Sequence, residues 1–159
     1  MDTYSVLPFA ISGHQLAVPV HDVLKVLPAL LSTPLPGAPD TVHGLVNVHG
    51  QLLPVVDLAR RFGWASPQRS LWQPFIWLKS SRRELLLAVQ AVEPVRSYQA
   101  ADFSPAPDPT VPSDLLRGVV RTADGMLLIQ DVEKVLSATD EECLARAMAQ
   151  HGGAFDDHD

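Results

Sequence analysis

The chain has 159 residues, 47% of them hydrophobic but only 6% aromatic, so it can support a core built mainly from Val, Leu and Ala. A formal net charge of -6 and a pI near 5.4 argue against nucleic acid or an anionic membrane as the main partner. The single cysteine, Cys143, excludes an internal disulfide and a cysteine-based zinc site. No apolar run approaches the roughly 20 residues of a membrane helix, and the start, MDTYSV, lacks the basic, long apolar beginning of a secretory signal. The expectation is a soluble cytoplasmic protein without direct membrane insertion.

In chain order, residues 4–12 predict a strand, Gly13-His14-Gln15 a turn, and Leu16 to Val20 the returning strand. Pro8 and Pro19 point to edges or bulges. Asp22 is positioned to cap a short helical turn over Val23 to Leu27, stopped by Pro28. Pro28, Pro34, Pro36 and Pro39 make residues 28–40 a stiff, extended connection. Two apolar runs, Leu45 to Val48 and Leu52 to Val56, flank His49-Gly50-Gln51 and read as a β-hairpin. Asp57 should then accept backbone N–H bonds and open a short helix over Leu58 to Phe62, ended by Gly63.

Residues 64–74 read as a loop. Phe75 to Lys79 and Leu85 to Val92 read as strands around the polar tip at residues 80–84, and residues 100–113 as a proline-dense loop. A second hairpin runs from Gly118 through Asp124-Gly125 to Ile129, and Asp131 leads into a helix near 132–136. Thr139-x-x-Glu142 is a capping-box pattern that opens a helix to about Gln150, with Leu144, Ala147 and Met148 on one face. Gly152-Gly153 should end it, before an acidic tail expected to be disordered.

The chain repeats itself. Gly44 aligns with Gly118, Asp57 with Asp131 and Phe62 with Leu136, the second turn being read as one residue longer and its second strand as one shorter. A weaker repeat matches Leu16–Lys25 to Leu87–Arg96. Units too short to bury their own faces must pack on one another. Short strands between Gly and Pro turns favour small β-barrels over a parallel sheet, so the expected class is all-β, mainly strands with short helices.

Little in the sequence points to catalysis. Asp57 and Asp131 occupy matching cap positions, which accounts for them without a reaction. Gly44, Gly50 and Gly125 are turn glycines, with no phosphate-binding pattern and no nucleophile elbow around them. His21, His43 and His49 have no matched carboxylate cluster, so no metal or other cofactor is expected; a small metal-dependent hydrolase is the enzyme alternative. Arg60-Arg61 and Arg82-Arg83 read as solvated pairs, and Pro109-Thr-Val-Pro112 fits a PxxP pattern shared by many loops.

Leu35-Pro36-x-x-Pro39, Gly44-Leu-Val-Asn-Val-His-Gly50, Pro54-Val-Val-Asp-Leu58, Arg61-Phe62-Gly63 and the later Gly118…Asp124-Gly125…Val132-Glu-Lys-Val-Leu136 resemble, in order and spacing, the CheW-like family of chemosensory coupling proteins. The resemblance covers about residues 4–137. It implies one CheW-like domain made of two intertwined, SH3-like five-stranded β-barrel halves, with residues 138–159 as a C-terminal helix and tail. It implies a non-enzymatic adaptor joining the cytoplasmic tip of a methyl-accepting chemoreceptor to the regulatory domain of a CheA-type histidine kinase. It implies a partner-binding site at Val23, Lys25, Gly44, His49, Gly50 and Val95. Two departures stand out. His49 takes the place of the family's usual arginine, and Gln90 that of a frequent acidic residue. They leave open a divergent CheW-like adaptor in a pathway other than motility.

Overall fold

A computed structural model describes residues 3–64, 73–104, 115–123 and 125–151. Twelve strands are described: β1 (Thr3–Ile11), β2 (His14–Pro19), β3 (Val23–Leu27), β4 (Val42–Val48), β5 (Gln51–Val56), β6 (Phe75–Lys79), β7 (Glu84–Ala88), β8 (Ala91–Val92), β9 (Arg96–Gln99), β10 (Phe103–Ser104), β11 (Leu116–Thr122) and β12 (Gly125–Gln130). Two α-helices, α1 (Leu58–Phe62) and α2 (Ala138–His151), complete the fold with short 3-10 turns. The PxxP pattern, Asp124 and the acidic tail lie outside the described residues.

The strands form two sheets. One runs β3-β6-β7-β5-β4, the expected five. The other has seven, in the order β10-β11-β12-β2-β1-β8 with β9 also pairing β1, because short pieces add to its edges. The sheets do not follow chain order: the first hairpin, β1–β2, joins the last, β11–β12, through the parallel pairs Leu128–Leu16 and Ile129–Ala17. The five-stranded sheet repeats this contact with Val55–Leu86 and Val56–Leu87, β5 lying parallel to β7.

These registers refine the internal repeat. Gly44 pairs with Val55 and Gly118 with Ile129, each after a bulge. Val48 pairs with Gln51 and Thr122 with Gly125, so the two hairpin loops are equal in length. Gly125 is the first residue of its strand, not part of a longer turn. Phe9 faces Leu16 in the first hairpin as Leu78 faces Leu85 in the other. This equates Leu16 with Leu85, two residues from the match suggested by sequence. The sequence match followed similar side chains; hydrogen-bond register follows the turns.

Each sheet buries both faces. Phe9, Ile11, Leu16 and Val18 of the seven-stranded sheet join Leu45, Val56, Ile76, Leu78, Leu85 and Leu87 of the five-stranded sheet in one shared core. The opposite faces enclose separate clusters, Val6, Ala17, Val120, Leu127 and Ile129 in one sheet and Val46, Val48, Leu53, Val55, Phe75, Leu86 and Ala88 in the other. This is why Leu85-Leu86-Leu87 is an unbroken apolar run: alternate side chains enter different cores. Leu144 and Ala147 of α2 are buried in the shared core, and Met148 packs against it.

Two local expectations change. Residues 23–27 form strand β3, not a helical turn; the 3-10 turn lies just before, at Val20–Asp22. Val, Leu and Val around Lys25 favour a strand, and the pairing partners Trp77, Ile76 and Phe75 settle it. Helix α2 begins one residue before Thr139. Its cap is Ser137, whose Oγ accepts the Asp140 N–H at 3.0 Å, while the Asp140 carboxylate accepts the Thr41 hydroxyl at 3.1 Å.

Candidate functional site

Asp57 and Asp131 do the same local work. Each carboxylate accepts the N–H two residues on, Ala59 at 3.1 Å and Glu133 at 3.0 Å. Gly63, in the left-handed region at φ 78°, closes α1 by donating to the Ala59 and Arg60 carbonyls. Asp57 is buried, with His43 Nε2 at 3.5 Å and Arg60 Nε at 3.8 Å from its second oxygen. Its oxygens are thus engaged by the helix start and two basic side chains. Among the described residues, no group of three His, Cys, Asp or Glu could hold a metal ion.

His49 and Gly50 form the tip of the β4–β5 hairpin. Both have positive φ, 52° and 88°, as a tight two-residue turn matching strand twist requires. The Gly50 N–H donates to Asn47 Oδ1 at 2.7 Å and fixes the turn. His49 is exposed. Gly44 is buried at the bulge, where a Cβ would stand 2.4 Å from the Thr33 carbonyl oxygen. Thr33 and Leu45 exchange two backbone hydrogen bonds of 2.8 Å across that point. Gly44 therefore acts through the backbone it lets approach, rather than by offering surface.

Val23 and Lys25 stand on β3, the end strand of the five-stranded order, opposite Leu78 and Trp77. Val95 lies in the link between β8 and β9 of the other sheet and is exposed. The six expected residues thus fall at the hairpin tip, under the Thr33 backbone, along the β3 edge and on the other sheet. The sequence reading missed their apolar neighbours. Leu24, Val26 and Leu30 are exposed, and Leu31 is 86% exposed. With Lys25 they make a surface along β3 and the segment after it. The signal was available, since a β-branched, lysine-containing run ending at proline reads as an edge strand once helix is set aside.

Gln90 is committed to the fold. Its Oε1 accepts the Ser12 N–H at 2.6 Å, and its own N–H donates to the Ala10 carbonyl. It ties the start of β8 to the β1–β2 turn without a charge. Arg83 also departs from a solvated pair: Nε donates to Glu141 Oε2 at 2.7 Å, with both side chains largely buried. Arg61 Nε donates to the Lys134 carbonyl at 3.1 Å, linking α1 to the equivalent turn of the other repeat.

The two interlocked sheets, the tip glycine and the exposed apolar edge define a β-rich, two-sheet protein with an apolar surface along its β3 edge. The family model described as CheW-like domain matches residues 5–140. The chain belongs to the CheW-like domain family, a family of chemotaxis scaffold and adaptor proteins. It is 26% identical over 140 residues to "Chemotaxis protein CheW" of Rhizobium meliloti (strain 1021), covering 86% of this chain and 89% of that protein. It is 44% identical to "Protein FrzA" of Myxococcus xanthus over 52 residues, 33% of this chain and 32% of that one. Its fold is similar to that of the scaffolding protein TtCheW from Thermoanaerobacter tengcongensis, with a TM-score of 0.79 and 23% identity, covering 88% of this chain and 92% of that chain. No helix among the described residues is long and apolar enough to cross a membrane.

Proposed function

We propose that this protein is a non-enzymatic scaffold that couples the cytoplasmic tip of a methyl-accepting chemoreceptor to the regulatory domain of a CheA-type histidine kinase. The observation that carries this reading is the exposed apolar surface of β3 and the segment after it, Leu24, Val26, Leu30 and Leu31 with Lys25, on a chain of the CheW-like family. Apolar area of this kind drives protein association, with affinity concentrated in a few residues. Val23, Lys25, His49, Gly50 and Val95 supply further contacts, and Gly44 holds the strand that carries the hairpin tip. Signal passes as a change in relative orientation of the partners.

Calorimetry of this protein against the regulatory domain of a CheA-type kinase from the same organism tests the reading. A dissociation constant in the micromolar range or tighter is expected; no binding to any such kinase overturns it. A second reading, a related adaptor in a pathway other than motility, is favoured by His49. A histidine at the tip lacks the planar guanidinium fork and cannot form the bidentate carboxylate pair of an arginine. Replacing His49 by Arg and measuring receptor binding separates the two: stronger binding to a chemotaxis receptor supports the first, no change the second.

A further inference from the structure

The two sheets enclose their private clusters unequally. At equivalent register positions, Phe75 and Leu86 fill the five-stranded sheet, whereas the seven-stranded sheet carries Val6 and Ala17. Beside Val6 and Ile129 of that smaller cluster lies an open cavity of about 580 Å³, within the size range of small-molecule sites. Its walls include Val6, Val20, Ile129 and Phe103, with Tyr4 packed edge-on to Phe103 at 5.3 Å. The ionisable side chains on its lining other than Tyr4 are Arg117 and His21, whose Nε2 lies 3.3 Å from Asp22. A mainly apolar, open cleft bordered by a guanidinium matches a ligand with an apolar body and one anionic end.

We infer that this cavity binds a small amphipathic carboxylate, its aliphatic or aromatic body against Val6, Val20 and Ile129 and its carboxylate on Arg117. Asp22 and Glu133 act electrostatically together with Arg117 in this region, so the ligand's carboxylate competes with them and the affinity is modest. The inference rests on the cavity alone and is independent of the scaffold reading.

The test is titration of the full chain with octanoate and with octanol, followed by amide resonances of Ser5, Val20, Arg117 and Ile129. Octanoate is expected to shift these resonances and to bind roughly tenfold more tightly than octanol. Arg117→Gln, at an exposed position, should erase that preference. Val6→Phe, which restores the side chain of the equivalent Phe75, should abolish binding of both. Absence of octanoate-induced shifts at the cavity overturns the inference, as does an octanoate preference that survives Arg117→Gln.

Discussion

Arg83 Nε stands 2.7 Å from Glu141 Oε2, so the tip between β6 and β7 is held to helix α2 by a largely buried ion pair. Arg83 also reaches Met148 Sδ at 3.5 Å, next to Ala147 and one turn beyond Leu144 of the buried face. Removing one partner leaves the other charge poorly solvated, which costs far more than losing a surface pair. Glu141→Ala should destabilise the fold by about 2 kcal/mol in urea unfolding. Glu93→Ala, which breaks the more exposed 3.4 Å pair with Arg96, should cost less than about 0.5 kcal/mol.

Gly44 and Gly118 are equivalent in the repeat but not in tolerance. A Cβ at Gly44 would meet the Thr33 carbonyl oxygen at 2.4 Å and its carbon at 2.8 Å, both backbone atoms held by the bridge to Leu45. At Gly118 the nearest atom is the Ser104 carbonyl oxygen at 3.4 Å, an ordinary contact. Gly44→Ala should therefore cost about 3 kcal/mol or more, and Gly118→Ala under about 1 kcal/mol. Chemical denaturation of both variants checks the contrast.

What the sequence disclosed was local, and what it hid was long-range. Gly50 and Gly63 have φ 88° and 78°, conformations that glycine adopts readily, so their turns could be read directly. The caps at Asp57 and Asp131 were legible for the same reason, since each reaches only two residues along the chain. The start of α2 was misplaced because Ser137, Thr139 and Asp140 all have capping side chains, and the choice was fixed by Thr41 on a distant segment. The interleaving of hairpins depends on the parallel contact of Leu16 with Leu128, which no local pattern encodes. At the candidate site, the hairpin tip was readable from its glycine. The β3 surface was not, because Val23 to Leu27 is short enough to fit either a helical turn or a strand.

Acid stability should show two opposing carboxylates. Glu133 accepts the Ser81 N–H at 2.8 Å and the Ser81 hydroxyl at 2.5 Å, which favours its charged form and holds its carboxyl below the ordinary value of 4.5. A group depressed in the folded state stabilises above its unfolded pKa, and that contribution is lost as pH falls through the folded value. Asp22 behaves in reverse. Its burial pushes the carboxyl above 3.8, more than His21 and Arg117 draw it down. Its contribution is most favourable when protonated and declines as pH rises from 3.8 towards the folded value. Urea midpoints measured across this range should fall less steeply below pH 4.5 in Glu133→Gln than in the parent. In Asp22→Asn they should lose the decline just above pH 3.8.

Binding and stability should separate along β3. Leu31 and Leu24 are 86% and 48% exposed, so replacing either by Ser removes little buried area and should change stability by less than about 0.5 kcal/mol. Ile76 pairs with Val26 on the same strand pair but is fully buried in the shared core, and Ile76→Ala should cost about 3 kcal/mol. If the exposed apolar surface carries the proposed coupling, Leu24→Ser with Leu31→Ser should weaken calorimetric binding to the kinase regulatory domain or to the receptor tip by at least tenfold, with the urea midpoint nearly unchanged. Lys25→Glu gives the complementary information. Reversal of one exposed charge should alter the association rate and its salt dependence more than the dissociation rate if Lys25 sits at the rim of the interface. Undiminished binding in the double leucine variant would place the contact surface elsewhere, with the His49 tip and Val95 next to be replaced.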